Sequence, residues 1–335
     1  MSYLPGLDGL RGYAVLMVIV FHWLPGSHWL NRFVPLGLLG VTCFFILSGY
    51  LITSILINAR RSTETGDSSV WWHLGRFFYR RTLRIFPIYY LALLYLYLFN
   101  VADIRSSLNW HVFYASDLYF FFKQAWQGPI SHLWTLSVEE KFYLFWPWLL
   151  LFVRSKQHGL IIVGTLVAGL LFEITTVSIP FARFTTPACL SSFAIGAALT
   201  QVNLDKLLEK VSATLLLVLA GVFVTVTAAI HLQVIGPAYL HFTFKLAAAP
   251  LILFVLCRVK TGKTGTVLQT MLCNPVMLYM GRISYGLYLY HNFVTPVWNG
   301  GLYTNLLQQA VLLLLVASAS YYCIEKPLLS LKNKI

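Results

Sequence analysis

Ten stretches of this chain stay apolar for about 17 to 23 residues at a time, the length that carries a helix across a hydrocarbon core of ~30 Å. They lie near 9–24, 36–57, 85–101, 134–153, 160–179, 184–201, 213–232, 237–257, 275–297 and 305–324. In lipid a backbone amide must find its partner inside the protein, so runs of this length read as helices. A further aromatic piece, "NWHVFYASDLYFFF" at 109–122, is too short and polar for a span and reads as interfacial or re-entrant. Composition agrees: with 58% hydrophobic and 10% charged residues over 335 positions, too little polar surface remains to cover a soluble domain. The expectation is an all-α integral membrane protein of about ten transmembrane helices in one polytopic bundle. Residues 1–335 are expected to form a single membrane domain with no appended soluble domain. The first run opens on an embedded arginine with no small-x-small site after it, so it is expected to stay in place of being cleaved as a signal.

A net charge of +13 would suit a nucleic-acid partner in a soluble protein. Here Lys and Arg fall in short clusters between apolar runs, which is the pattern of membrane topology, and no nucleic acid is expected. With the N-terminus in the cytoplasm, sixteen of the 24 basic residues fall on cytoplasmic connections. Six lie at 58–84, followed by Arg154, Lys156, Lys206, Lys210, Arg258, Lys260, Lys263, Lys326, Lys332 and Lys334. Only Arg32, Arg105, Lys123 and Arg183 fall outside, so both termini are expected in the cytoplasm. If 109–122 crossed the membrane, every later assignment would invert and the bias would fail. The remaining four, Arg11, Lys141, Lys245 and Arg282, fall inside or at the ends of spans. The five cysteines are scattered without metal-ligand spacing; they read as packing residues, and no metal is expected.

Ionisable groups inside spans are costly in lipid and call for a reason. In "LDGLRGYAVLMVIVFH", Asp8 stands at the start, and Arg11 and His22 are eleven residues apart, so they share a helix face within about 20°. In "SHLWTLSVEEKFYLFWPW", His132, Glu139 and Tyr143 line one face, with Glu140 and Lys141 beside them. Helix direction and charge bias place Glu139 at about the depth of His22, toward the outer side. The competing reading is a structural ion-pair network between helices. In "RFFYRRTLRIFPIYY", Arg81 and Arg84 share a face at the inner mouth of the third span. They are ordinary topology signals or an arginine clamp for cofactor phosphates. In "GRISYGLYLYHNFV", Ser284, Tyr288 and His291 recur as one polar stripe, while the tyrosines by themselves fit an interfacial belt. Ser48 and Gly49 of "FFILSGYLI" read first as a close helix contact, and Glu325 of "YYCIEKP" as a partner for a cytoplasmic arginine.

These stretches, in this order and over nearly the whole chain, resemble the acyltransferase-3 family of integral membrane acyltransferases. The resemblance implies transfer of an acyl group, most often acetyl, from cytosolic acetyl-CoA to a hydroxyl of an extracytoplasmic or lipid-linked carbohydrate. It maps the family's arginine and histidine to Arg11 and His22, its R-x-x-R pair to Arg81 and Arg84, and its "SVE" glutamate to Glu139. On that basis His22 is the candidate general base, which imidazole suits, and Glu139 its orienting carboxylate. Arg11, Arg81 and Arg84 are the candidates for holding acetyl-CoA. Asp8, Ser48, His132, Glu140, Tyr143, Ser284, Tyr288 and His291 are the substrate or supporting candidates. The family usually has glutamine after "VEE", where this chain has Lys141. The implied setting is the bacterial inner membrane, with membrane lipid, a carbohydrate or glycolipid acceptor and polysaccharide-assembly proteins as partners. The competing class is a proton-coupled transporter or glycolipid exporter, which predicts paired halves with broken helices at matching positions. No such pairing is visible in the sequence.

Overall fold

A computed structural model describes residues 3–232, 234, 239–296 and 301–331 of the chain. Lys332 and Lys334 of the charge tally lie outside the described residues. Among these the structure is all-helical. In chain order the principal helices are α1 (Pro5–Trp23), α2 (Leu36–Glu64), α3 (Val70–Leu98), α4 (Leu133–Leu151), α5 (His158–Thr175), α6 (Thr186–Ala198), α7 (Ala213–His231), α8 (Leu240–Thr261), α9 (Pro275–Arg282), α10 (Ser284–Tyr290) and α11 (Leu302–Ser320). By length and composition four segments are apolar enough to cross a membrane, Leu36–Glu64, Ser155–Thr175, His241–Thr261 and Leu302–Ser330. The ionisable candidates sit mostly on α1, α3 and α4, outside those four. On α5 the exposed residues Leu160, Val163, Val167, Leu171 and Ile174 recur every three or four positions, an apolar stripe of the kind that faces lipid.

Two boundaries depart from the expected spans, while the 109–122 segment stays too short to be one. The third helix begins at Val70, well before the apolar run, so Arg76, Arg80, Arg81 and Arg84 are helical residues continuous with it. The segment 109–122 holds two short helices, Leu108–Val112 and Ser116–Lys123, and at about 1.5 Å per residue neither spans a bilayer. The expected span 275–297 is not one helix. It breaks at Ile283, where ψ rises to 10° and the helical hydrogen-bond ladder is interrupted.

The helices form two compact units, one of residues up to Ile55 with Lys156–Arg282, the other of Leu56–Ser155 with the chain from Ile283 onward. In the first, a core of Leu7, Leu10, Ile46, Leu47, Phe244 and Leu256 is flanked by close helix contacts. A Cβ added to Gly281 of α9 would lie 1.8 Å from the Asp8 carbonyl oxygen, so only glycine lets α9 reach the backbone of α1. Gly49 and Gly196 do the same for α2 and α6, where an added Cβ would meet the backbones of Phe193 and Ile46. Gly49 thus stands at a helix contact, as its first reading held. Gly281→Ala is expected to lower stability in detergent by about 1–3 kcal/mol. Gly164→Ala, with nothing within 4 Å of the new methyl, should leave the melting midpoint unchanged or raise it. Equal midpoints for the two variants would refute the backbone contact.

Cys43, Cys189 and Cys257 are buried packing residues, as expected. Cys323 is exposed and packs no core, because it lies on a π-helical turn, Tyr321–Glu325, that rotates it outward while burying Glu325.

Candidate active site

In the first unit, α1 supplies Asp8, Arg11 and His22. Arg11 Nη1 lies 3.0 Å from Asp8 Oδ1, and the Tyr3 hydroxyl donates to Asp8 Oδ2 at 2.8 Å. The carboxylate one turn earlier is therefore Arg11's counter-ion, which lowers the cost of a cation in this helix. His22 occupies the last turn and is exposed. Its Nδ1 stands 2.9 Å from the Val18 carbonyl oxygen. A carbonyl only accepts, so the proton belongs on Nδ1, and Nε2 carries the basic lone pair. This is the tautomer a general base needs.

The same unit holds a constellation that sequence reading passed over. Lys245 of α8 pairs with Glu173 of α5, and Ser191 of α6 lies between them. The Ser191 hydroxyl donates to Glu173 Oε1 at 2.6 Å and accepts from Lys245 Nζ at 2.5 Å. All three side chains are nearly or fully buried. The sequence signal was present: Lys245 and Glu173 are opposite charges in different apolar runs.

In the second unit, α3 and α4 bring the arginine pair and the carboxylates together. The Arg81 guanidinium lies 4.5 Å from the centre of the Tyr143 ring, and the Tyr143 hydroxyl donates to Glu139 Oε2 at 3.2 Å. Glu139, Glu140 and Arg84 are all within electrostatic reach of Arg81. Glu325, expected to pair with a cytoplasmic arginine, is buried on its π-turn within electrostatic reach of Arg84 but forms no ion pair with it. Arg81 and Glu139, expected toward the inner and outer sides, are bridged by one tyrosine, because α4 carries Tyr143 one turn from Glu139.

His132, Tyr288 and His291 also meet. His132 Nδ1 lies 2.9 Å from the Pro129 oxygen, and its Nε2 3.1 Å from the Leu289 oxygen. Thr135 Oγ1 and the Tyr288 hydroxyl are 2.5 Å apart, and His291 Nδ1 is 2.6 Å from the Tyr288 carbonyl oxygen. The rings of His132 and His291 pack 4.8 Å apart. These contacts fasten the start of α4 to α10, with Ser284 buried at the first turn of α10.

Lys141 pairs with Asp117, which is fully buried on the Ser116–Lys123 helix. The 109–122 segment is thus tied to α4 by an ion pair. His111 of the same segment is also fully buried, with Nδ1 2.8 Å from Ser116 Oγ and Nε2 3.2 Å from Ser107 Oγ. Burial pushes its imidazole down to about 4, partly offset by Gln127, so it stands neutral between two hydroxyls. Tyr89, Tyr90, Tyr114 and Tyr285 gather within electrostatic reach of Glu140. Of these, only Tyr285 lies in the stretch whose tyrosines fit an interfacial belt by sequence. Among the described residues no group of three or more His, Cys, Asp or Glu side chains converges as a metal site would require.

A family profile described as an acyltransferase domain matches residues 4–324. A Staphylococcus aureus (strain COL) protein named putative O-acetyltransferase is 29% identical over 98% of this chain and 57% of its own length. The putative peptidoglycan O-acetyltransferase YrhL of Bacillus subtilis (strain 168) is 27% identical over 97% of this chain and 55% of its own. The O-acetyltransferase OatA of Staphylococcus aureus (strain NCTC 8325 / PS 47) is 32% identical over 59% of this chain and 34% of its own. The chain therefore spans a little over half the length of the first two relatives. No solved structure matches it.

Proposed function

Because the chain belongs to the acyltransferase-domain family, with a match running from residue 4 to 324 across both units, we propose that it transfers an acyl group to a carbohydrate hydroxyl. The acyl group is acetyl, the donor is cytosolic acetyl-CoA, and the acceptor is an extracytoplasmic or lipid-linked glycan such as peptidoglycan. The setting is a bacterial inner membrane crossed about ten times by one membrane domain, with both termini inside. The observation that carries this reading is the stacking of Arg81 on Tyr143, which in turn holds Glu139.

A sugar hydroxyl is a weak nucleophile at neutral pH and needs a base. His22 Nε2 takes the hydroxyl proton as the oxygen bonds to the acyl carbon; the carbon–sulfur bond breaks, and coenzyme A leaves as its thiolate. The imidazolium then returns its proton, leaving an ester and a thiol. Arg81 and Arg84 hold the donor's phosphates with the planar fork that guanidinium offers and ammonium lacks. Arg11 supports the donor from α1 and remains balanced by Asp8. Glu139 keeps Tyr143 and Arg81 in place. His132, Tyr288 and His291 hold the start of α4, and Ser284 and Glu140 line the same unit.

The test uses sealed, oriented vesicles containing the protein, with radiolabelled acetyl-CoA on the cytoplasmic face and peptidoglycan fragments on the other. Label should appear in the glycan as an alkali-labile ester. No label with any glycan would overturn the reading. Arg81→Lys and Arg84→Lys keep the positive-inside signal and should each raise the donor KM by roughly tenfold. Unchanged donor kinetics would return the pair to a topology role.

A further inference from the structure

The turn between the helices Leu108–Val112 and Ser116–Lys123 is made by Tyr114, whose φ of 51° lies in the left-handed region. A bulky residue is rarely found there, because its Cβ crowds the neighbouring carbonyl. Several contacts hold the strained turn in place. Tyr89 donates to the His111 carbonyl oxygen at 2.8 Å, and Tyr90 to that of Val112 at 3.0 Å. His111 sits between the hydroxyls of Ser107 and Ser116, and Asp117 is paired with Lys141.

What the strain delivers is one side chain. The Tyr114 ring stacks on Tyr89 with centres 4.3 Å apart, and on Phe86 at 5.7 Å. The residue is 7% exposed. Its hydroxyl is buried and, among the described residues, has no hydrogen-bond partner. The neighbouring hydroxyls differ: Tyr89 and Tyr90 have the carbonyls just named, and Tyr285 has that of Ile85 at 3.4 Å. Tyr285 and Glu140 are within electrostatic reach of Tyr114, and Glu140 is itself within reach of Arg81. If packing alone were required, phenylalanine would fill the same space without an orphaned polar atom. Burying such an atom is costly, and strained conformations of this kind gather at ligand sites.

We propose that the Tyr114 hydroxyl is a catalytic hydrogen-bond donor to the carbonyl oxygen of the acyl thioester, the atom on which negative charge builds as the acceptor attacks. The assignment rests on the acyl-transfer reading above and adds a residue to it. A carbonyl oxygen is the ligand atom that suits this site. It accepts the hydroxyl's hydrogen bond, and its demand for a donor grows in the transition state. The hydroxyl keeps its proton throughout; no bond to Tyr114 forms or breaks.

Tyr114→Phe keeps both ring contacts and removes only the oxygen. It should lower kcat by about 10²- to 10³-fold, the usual loss for one oxyanion donor, with the donor KM changed less than threefold. Its melting midpoint in detergent should match or exceed that of the unaltered protein, since a buried unpaired oxygen has been deleted. Unchanged kcat would overturn the proposal and assign the hydroxyl to an ordinary buried water. A rise in donor KM with kcat retained would also overturn it, moving the contact to a bound part of the donor that does not react. Loss of activity together with a lowered midpoint would show a structural role instead. The unaltered protein is assayed alongside: if it transfers no acyl group, the acyl-transfer reading itself has failed, whereas a working protein with a working variant refutes the Tyr114 assignment alone.

Discussion

His22→Ala is expected to lower acyl transfer by about two to four orders of magnitude while the protein still folds and inserts. The expectation follows from the position of the ring. It sits in the last turn of α1, exposed, with Nδ1 committed to the Val18 carbonyl. The buried residues of α1 run from Gly6 to Ile19, so the packed part of the helix stops short of His22. Alanine at position 22 therefore removes the base without opening a cavity, and a helix-forming residue takes its place. The kinetic signature should be a fall in kcat for acceptor acylation at unchanged donor KM. His22→Gln offers a control, since it keeps a polar side chain at the helix end but supplies no base near neutral pH; it should be as inactive as alanine. Activity within threefold of the unaltered protein in either variant would remove His22 from the chemistry.

Lys245→Met should cost about 3–5 kcal/mol of stability, the largest structural effect expected in this chain. The lysine is buried against Glu173 and Ser191, so removing it leaves a carboxylate without its counter-charge where water does not reach. Glu173→Gln strands the ammonium in the same way and should be nearly as damaging. The double variant should recover most of the loss, because an uncharged glutamine can still accept from Ser191 and no net charge remains buried. The measurement is a denaturation series in one detergent for the four proteins, closed as a double-mutant cycle. If the single losses simply added in the double variant, the pair would not be coupled and its packing alone would matter.

Much of the fold was legible because lipid imposes a simple rule on sequence: a helix that crosses it must be apolar over a fixed length. The helices Leu36–Glu64 and His241–Thr261 announce themselves that way. Asp8, Arg11 and His22 were legible for the opposite reason, since charge inside such a run has a cost and points to a partner or a task. Packing between helices was less legible: charge bias and helix direction do not say how α3 and α4 are set against each other, so the Tyr143 bridge between Arg81 and Glu139 was not foreseen. The break at Ile283 was hidden because hydropathy continues through it and only backbone geometry interrupts the helix. Tyr114 was hidden by its residue type: tyrosine is abundant at membrane interfaces, and only burial sets this one apart. Asp117 and Lys141 are 24 positions apart, beyond any helical period, so each read alone as a stray charge.

That last pair constrains how this protein can have diverged. Lys141 is a cation whose neutraliser lies on a different segment, at a position with no exposure to water. Neither residue can drift by itself without stranding the other, so the 109–122 segment and the helix that bears Lys141 are inherited as one piece. A lineage that exchanges one of them by recombination must either bring both or lose the charge from both at once, and the two positions should therefore change together down the family tree.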